Sequence, residues 1–319
     1  MFETRITRLF GIKYPIIGGA MMGLSDARLV AAISNAGCLG LMASPMFENK
    51  EGLRQEIRKV KDLTDKPFGV NLSLFPSARP IPNEDFIAVC HEEEVPVIET
   101  SGRSPEPLLP LIRQGKAKFI HKCARVRDAI KVASLGADAV SIVGFECGGH
   151  PGMDDVTTLI LAPLTVDSVS IPVVAGGGFV DGRGLIAALA LGADGIVMGT
   201  RFMATKESAA HPNVKEWMLK AGEADTVVIQ RSIRSNSRVA KTPPAIKVAE
   251  MEARGATLEE LMSVIGGGQG RQAMFEGKIE AGTMACGEAV SLIRDIPAVQ
   301  EVVERIISEA DAIRQKLAR

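Results

Sequence analysis

An α/β fold in which eight parallel strands close into a barrel, followed by a smaller helical part, is what this sequence predicts. Three observations carry the prediction. Short, continuously apolar runs recur eight times before Thr200, helix-like stretches separate them, and the alternation stops near Met203. Strands that are apolar at every residue, rather than at every second one, belong to a parallel sheet covered by helices on its outer face.

In chain order the runs are residues 14–20, 39–43, 68–74, 96–100, 118–123, 139–145, 172–176 and 195–199. Between them, stretches such as 26–36, 50–63 and 182–191 carry apolar residues at helical spacing. Eight such units in about 200 residues meet the minimum for a TIM (β/α)8 barrel. An internal echo supports the repeat. Leu135-Gly-Ala-Asp138 precedes the sixth run and Leu191-Gly-Ala-Asp194 the eighth, each reading as helix end, glycine turn and strand start.

Residues 1–203 are thereby assigned to the barrel. From 204 to 286 the chain reads as helices with polar connections, including Pro243-Pro244 and the glycine-rich stretch 266–270, and is expected to cap the barrel mouth on the substrate side. In 287–319, Val290, Ile293, Val299, Val302, Val303, Ile306 and Ile307 fall at helical spacing, broken near Pro297, and are expected to pack back onto the barrel.

Charge narrows the partners. The 319 residues hold 37 Lys+Arg against 38 Asp+Glu, a formal charge of −1, so no basic excess favours nucleic acid or an anionic membrane. Five scattered cysteines (Cys38, Cys90, Cys123, Cys147, Cys286) form no CxxC pair, which argues against a disulfide scaffold and for a reducing, cytoplasmic setting. No apolar run approaches the ~20 residues of a membrane helix. A small-molecule partner is expected, with homo-oligomer formation left open.

The chemistry concentrates in glycine-rich segments after the later strands. TIM barrels commonly hold phosphate groups in the loops after strands seven and eight, where backbone N–H groups converge. Ala175-Gly-Gly-Gly178 and Gly199-Thr200-Arg201 occupy those places, with Gly177, Gly178 and Gly199 allowing close approach and Thr200 adding a hydroxyl. Gly182-Arg-Gly-Leu-Ile-Ala187 also fits a dinucleotide fingerprint, but it lacks the surrounding βαβ domain and reads as a helix start.

After run six, Gly144-Phe-Glu-Cys-Gly-Gly-His-Pro-Gly152 places His150 on a loop at the C-terminal end of a strand, where such barrels keep their reacting groups. A near-neutral imidazole there can move a proton, and Cys147 with His150 alone makes too few ligands for a metal site. In Phe119-Ile-His-Lys-Cys123, alternation turns either His121 or Lys122 into the barrel but not both, and Lys122 could balance a phosphate or a reduced flavin ring. Asn71 offers an amide to a ligand or to a buried hydrogen bond. His91 and His211 are expected to face solvent.

Taken together, Tyr14-Pro-Ile-Ile with Met21, Asn35-Ala-Gly-Cys-Leu-Gly40, Pro67-Phe-Gly-Val-Asn71, Glu146-Cys-Gly-Gly-His150, Gly176-Gly-Gly178 and Gly199-Thr-Arg-Phe202 resemble the nitronate monooxygenase (2-nitropropane dioxygenase) family over nearly the whole chain. The resemblance implies a TIM barrel with non-covalent FMN, His150 at the active site, and Met21, Asn71, Lys122, Gly177, Gly178, Gly199 and Thr200 at flavin-contacting positions. It implies oxidation of alkyl nitronates with O2 to a carbonyl compound and nitrite. Sister branches reduce quinones with NAD(P)H or act as FMN-dependent enoyl-acyl-carrier-protein reductases, and a flavin-binding barrel without turnover is the non-catalytic alternative. The string through His-Pro-Gly to Asp154-Asp155 looks most like the bacterial enzymes called nitronate monooxygenases. One departure stands out: Gly18-Gly-Ala-Met21 replaces the family's Gln-Gly-Gly-Met.

Overall fold

The computed structural model describes residues 2–75, 81–266 and 268–319. Gly267, inside the predicted glycine-rich stretch, lies outside the described residues. Eight parallel strands form a closed barrel: β1 (Ile16–Gly18), β2 (Leu39–Ala43), β3 (Phe68–Ser73), β4 (Val97–Ser101), β5 (Lys118–Cys123), β6 (Ala139–Val143), β7 (Val173–Gly176) and β8 (Gly195–Met198). Closure is made by β1, whose Ile17 and Gly18 pair with Leu39 and Gly40 of β2 while Ile16, Ile17 and Gly18 pair with Ile196, Val197 and Met198 of β8. Every predicted run overlaps its strand, and the fold is the expected TIM barrel.

Two faces of each strand are buried for different reasons. Ile17, Leu39, Leu41, Val97, Ile120, Ala139, Val174 and Val197 fill the interior, and Ile6 and Phe10 of the short helix Arg5–Phe10 join them as a plug. Val70, Leu72, Ile98, Phe119, Val140, Ile142 and Val173 face the surrounding helices. With both faces covered, the strands read as unbroken apolar runs.

The sequence echo has a structural meaning. Gly136 and Gly192 take left-handed φ of 83° and 88° at the helix ends, and the two aspartates accept from the start of the preceding strand. Asp138 accepts from Phe119 N–H at 2.8 Å and Asp194 from Val173 N–H at 3.0 Å.

Beyond the barrel, the helices Pro212–Lys220, Pro243–Ala253, Leu258–Ile265 and Gln269–Glu276 match the helical reading of 204–286. That reading needs one correction, because an antiparallel pair, β9 (Thr226–Ile229) and β10 (Ser237–Ala240), lies within it. The β-branched run Thr226-Val-Val-Ile229 favours a strand, and Gln230 and Arg234, at φ 63° and 55°, supply the left-handed positions of the connection. The helix Val299–Leu317 lies on the helices Gly182–Ala190 and Ala27–Asn35 and buries Val299, Val302, Val303, Ile306 and Ala310. Among the described residues no helix is long and apolar enough to cross a membrane.

His91 and His211 are half-buried rather than solvent-facing. The first bonds Leu111 O through Nε2 at 2.9 Å, and the second accepts from Asn213 N–H to cap the helix Pro212–Lys220.

The fingerprint-like segment 182–187 is a helix start already filled by protein. Asp181 accepts from the N–H groups of Arg183 and Gly184, while Glu309 of the C-terminal helix accepts from Gly182 N–H at 3.0 Å. A Cβ on Gly182 would sit 2.4 Å from Ala310 N and 2.7 Å from Ile306 O, so glycine is what lets the two helices touch. Gly182→Ala should therefore cost about 1–3 kcal/mol by overpacking. Chemical denaturation would measure the loss, and an unchanged midpoint would mean that the C-terminal helix yields freely.

Candidate active site

The C-terminal ends of the strands bring most of the sequence-predicted residues to one mouth. Its floor is side-chain chemistry. Asn71 on β3, Glu99 on β4 and Lys122 on β5 meet inside the barrel, where Asn71 Nδ2 donates to Glu99 Oε2 at 2.5 Å and Lys122 Nζ lies 3.3 Å from the same oxygen. Glu99 is fully buried, and Lys122 keeps 21% of its side chain exposed toward the mouth. The alternation on β5 is thus settled: Lys122 points in and His121 points out. His121 bonds Thr100 Oγ1 at 2.7 Å, and burial, with the nearby Lys122 charge, pushes its pKa down to about 4.

On the far side, the loops after β7 and β8 are backbone chemistry. Gly177 and Gly178 take consecutive left-handed φ of 98° and 85°. A Cβ on Gly177 would lie 2.9 Å from Thr158 Oγ1, whereas that on Gly178 would meet nothing closer than 3.9 Å and is barred by conformation alone. Among the described residues, the N–H groups of Gly177, Gly178, Gly199 and Thr200 have no hydrogen-bond acceptor. Thr200 Oγ1 accepts from Gly287 N–H at 3.0 Å and keeps its own proton to donate. Met21 closes this side, its Sδ 3.5 Å from where a Cβ of Gly199 would be. At the departure from the family pattern, a Cβ on Gly18 would come within 2.5 Å of Ile33 Cδ1, so Ile33 takes the space that a side chain at 18 would need.

His150 stands on the loop after β6 and stacks on Phe75 from the loop after β3, with ring centroids 4.5 Å apart and planes inclined by 29°. His150 as a whole is exposed. The walls of the mouth still desolvate it and Lys122 repels its proton, and both lower its pKa below the ordinary value. The neutral, proton-accepting ring is the form favoured at pH 7. Cys147, three residues earlier, is the opposite case: burial pushes its thiol up to about 12, so it stays protonated.

Residues that sequence reasoning left without a role hold the His150 loop in place. Glu146 accepts from Thr158 N–H and Oγ1–H at 2.9 and 3.0 Å, and Thr158 Oγ1 also lies 2.8 Å from Gly176 O, which ties this loop to the β7 glycines. Gly149 exchanges both backbone bonds with Arg238 of β10, at 2.6 and 3.0 Å. The buried Arg238 guanidinium donates to Phe145 O at 2.9 Å, pairs with Glu288 at 2.9 Å and lies 4.3 Å above the Phe145 ring. Asp154 and Asp155 fasten the end of the segment to Arg125 and Arg231. Glu99 had a readable signal, a lone acid within an apolar strand run. Arg238 had none, because its strand was not foreseen.

Arg238→Ala should cost roughly 1.5–3 kcal/mol, the worth of one charge-assisted hydrogen bond, and free the loop. Hydrogen exchange across 144–152 is the check, and unaltered protection there would show that Glu146 and Thr158 suffice.

The chain resembles known proteins over nearly its whole length. The family profile described as "Nitronate monooxygenase" matches residues 3–309. The chain is 33% identical to the (3aS,4S,5R,7aS)-5-hydroxy-7a-methyl-1-oxo-octahydro-1H-indene-4-carboxyl-CoA dehydrogenase of Rhodococcus jostii, over 98% of this chain and 96% of that protein. It is 35% identical to the "Probable nitronate monooxygenase" of Staphylococcus saprophyticus, over 71% of this chain and 75% of that one. Among solved structures, FabK from Thermotoga maritima superposes with a TM-score of 0.91 and 39% identity, over 100% of this chain and 99% of that one. The chain is an oxidoreductase and belongs to the nitronate monooxygenase family.

Proposed function

We propose that this chain binds FMN without a covalent link and oxidises small nitroalkanes or their nitronates with O2 to a carbonyl compound and nitrite. The residues present fit an FMN. Two successive left-handed glycines and the free N–H groups of Gly177, Gly178, Gly199 and Thr200 suit its phosphate, and Asn71, Lys122 and Met21 line the space beside them. Glu99 Oε1 and Ser141 Oγ, buried without partners, leave polar atoms near that space. Bound FMN would supply the exchange of an electron pair between the substrate and dioxygen or NAD(P)H.

One observation carries the choice of substrate: a histidine at the mouth whose proton affinity is lowered, in the field of a lysine. Neutral His150 can take the α-proton of a nitroalkane. The Lys122 ammonium favours the nitronate anion that this leaves, and Phe75 holds the imidazole ring in place.

A second reading is a reductase driven by NAD(P)H, with a quinone or an enoyl thioester as acceptor. It is favoured by 39% identity to FabK over the full chain and by the CoA-substrate dehydrogenase at 33%. His150 would then position or protonate the acceptor. Anaerobic mixing with nitroalkane, nitronate, NADH or NADPH separates the readings. Rapid bleaching by NADH with none by nitronate would replace the first with the second.

The purified protein should be yellow, and Gly178→Val should weaken FMN retention by forcing a β-branched residue to positive φ. A colourless protein that takes up no added FMN would remove the flavin reading.

His150→Asn should keep FMN and lose about 10²–10⁴-fold in kcat/KM for neutral nitroalkanes, with less loss for preformed nitronates. The sign with pH follows from the base role. Activity is present above the His150 pKa and falls as acid protonates the ring, with a midpoint below that of an ordinary imidazole. Lys122→Met, which removes the repelling charge, should move that midpoint upward. Equal losses for nitroalkane and nitronate would assign His150 to positioning instead.

A further inference from the structure

Glu99 is the floor residue to which neither the phosphate cradle nor the base at the rim gives a task. We propose that Glu99 is a positioning residue that sets the charge and the hydrogen-bond polarity which Lys122 and Asn71 present to the ring of the bound flavin. The proposal rests on the FMN reading.

The geometry is specific. Strand register sets Asn71 beside Glu99 and Ser101 beside Lys122, so three neighbouring strands converge on one carboxylate. Its Oε2 lies 2.5 Å from Asn71 Nδ2 and 3.3 Å from Lys122 Nζ, and its Oε1 is buried without a partner. A residue needed only to fill the barrel would be apolar, as Val97 is two positions earlier. A buried carboxylate is costly unless it is paired.

An ionised carboxylate only accepts hydrogen bonds, so it obliges Asn71 to turn its NH2 toward the floor. Ser101 Oγ lies 3.2 Å from the same nitrogen. The Asn71 carbonyl oxygen, 3.4 Å from Ser101 Oγ, keeps a lone pair to offer a ligand as an acceptor. Lys122 gives one of its three N–H donors to Glu99 and keeps the others for the mouth. The Glu99 charge also offsets the Lys122 charge. A positive charge beside a flavin favours its reduced, negatively charged form, so Glu99 keeps the reduction potential below what Lys122 alone would set.

Glu99→Gln keeps the shape and removes the charge. In FMN-loaded protein it is expected to favour reduced over oxidised FMN by about tenfold, a rise of about 30 mV for a two-electron couple. Lys122→Met is expected to lower the potential. In the Lys122→Met background Glu99→Gln should shift it less, because the part of its effect that runs through the Lys122 ammonium is absent. Spectroelectrochemical titration of the four proteins reads all of this without turnover. A yellow Glu99→Gln protein with the wild-type potential, or the same shift in both backgrounds, would overturn the proposal and leave the FMN reading standing. A wild-type protein that binds no FMN would overturn both. Should Glu99→Gln not fold, Glu99→Asp, which draws the carboxylate back from both partners, is expected to raise the potential by less, and no rise would overturn the proposal.

Discussion

Closing eight short strands into a cylinder forces every second residue into a space with little room, and the rest of the molecule follows from how that space is filled. Toward the N-terminal end, Ile6 and Phe10 from before β1 meet Ile17, Leu39, Val97 and Ile120 and make a dry plug. Small residues appear where backbone must approach backbone. A Cβ on Gly40 would lie 2.3 Å from Val30 O of the neighbouring helix, and one on Gly69 2.8 Å from Val97 O. Toward the other end the filling changes from apolar to polar. Asn71, Glu99 and Lys122 are inward residues of the same alternation, and they can be polar because they partner one another through Glu99 Oε2 next to an open mouth.

A barrel alone would leave the His150 loop as a long excursion from β6. Later parts of the chain supply its walls. β10 pairs with Gly149, Glu288 N–H donates to Glu146 O at 3.0 Å, and a Cβ on Gly287 would press within 2.9 Å of both Glu146 O and Gly148 N. Because the same Gly287 donates to Thr200, the segment also ties the β6 loop to the β8 loop. The chain beyond the eighth strand therefore fixes the distance between the proton-accepting side of the mouth and the glycine side.

This division explains what the sequence made legible. A cradle built from backbone N–H groups can be read directly, since Gly177 and Gly178 are written as glycines because they need positive φ. The position of His150, on the loop after β6, was legible from the strand end and the glycines around it. The orientation of Lys122 was not, because a strand's period of two allows either His121 or Lys122 inside until the registers with β4 and β6 are known. Glu99 and Thr158 gain meaning only from partners 28 and 18 residues away in the chain. The β9–β10 pair escaped notice because two four-residue strands carry too short a pattern to stand out among helices.

Lys122 joins the two halves electrostatically. Its ammonium is held by Glu99 at the floor and lowers the proton affinity of His150 at the rim, so the neutralisation of one charge bears on both. A base with lowered pKa is fully available at neutral pH but pulls less strongly on a proton. Such a base serves a carbon acid already activated by its own substituent better than one that needs a strong base. In the proposed reaction a nitro group would provide that activation, and the anion left behind would carry its charge on oxygens that the Lys122 ammonium can meet. In the proposed reaction the lysine that weakens His150 as a base would also favour the product of the proton transfer, which would move the demand of the reaction from the histidine to the floor.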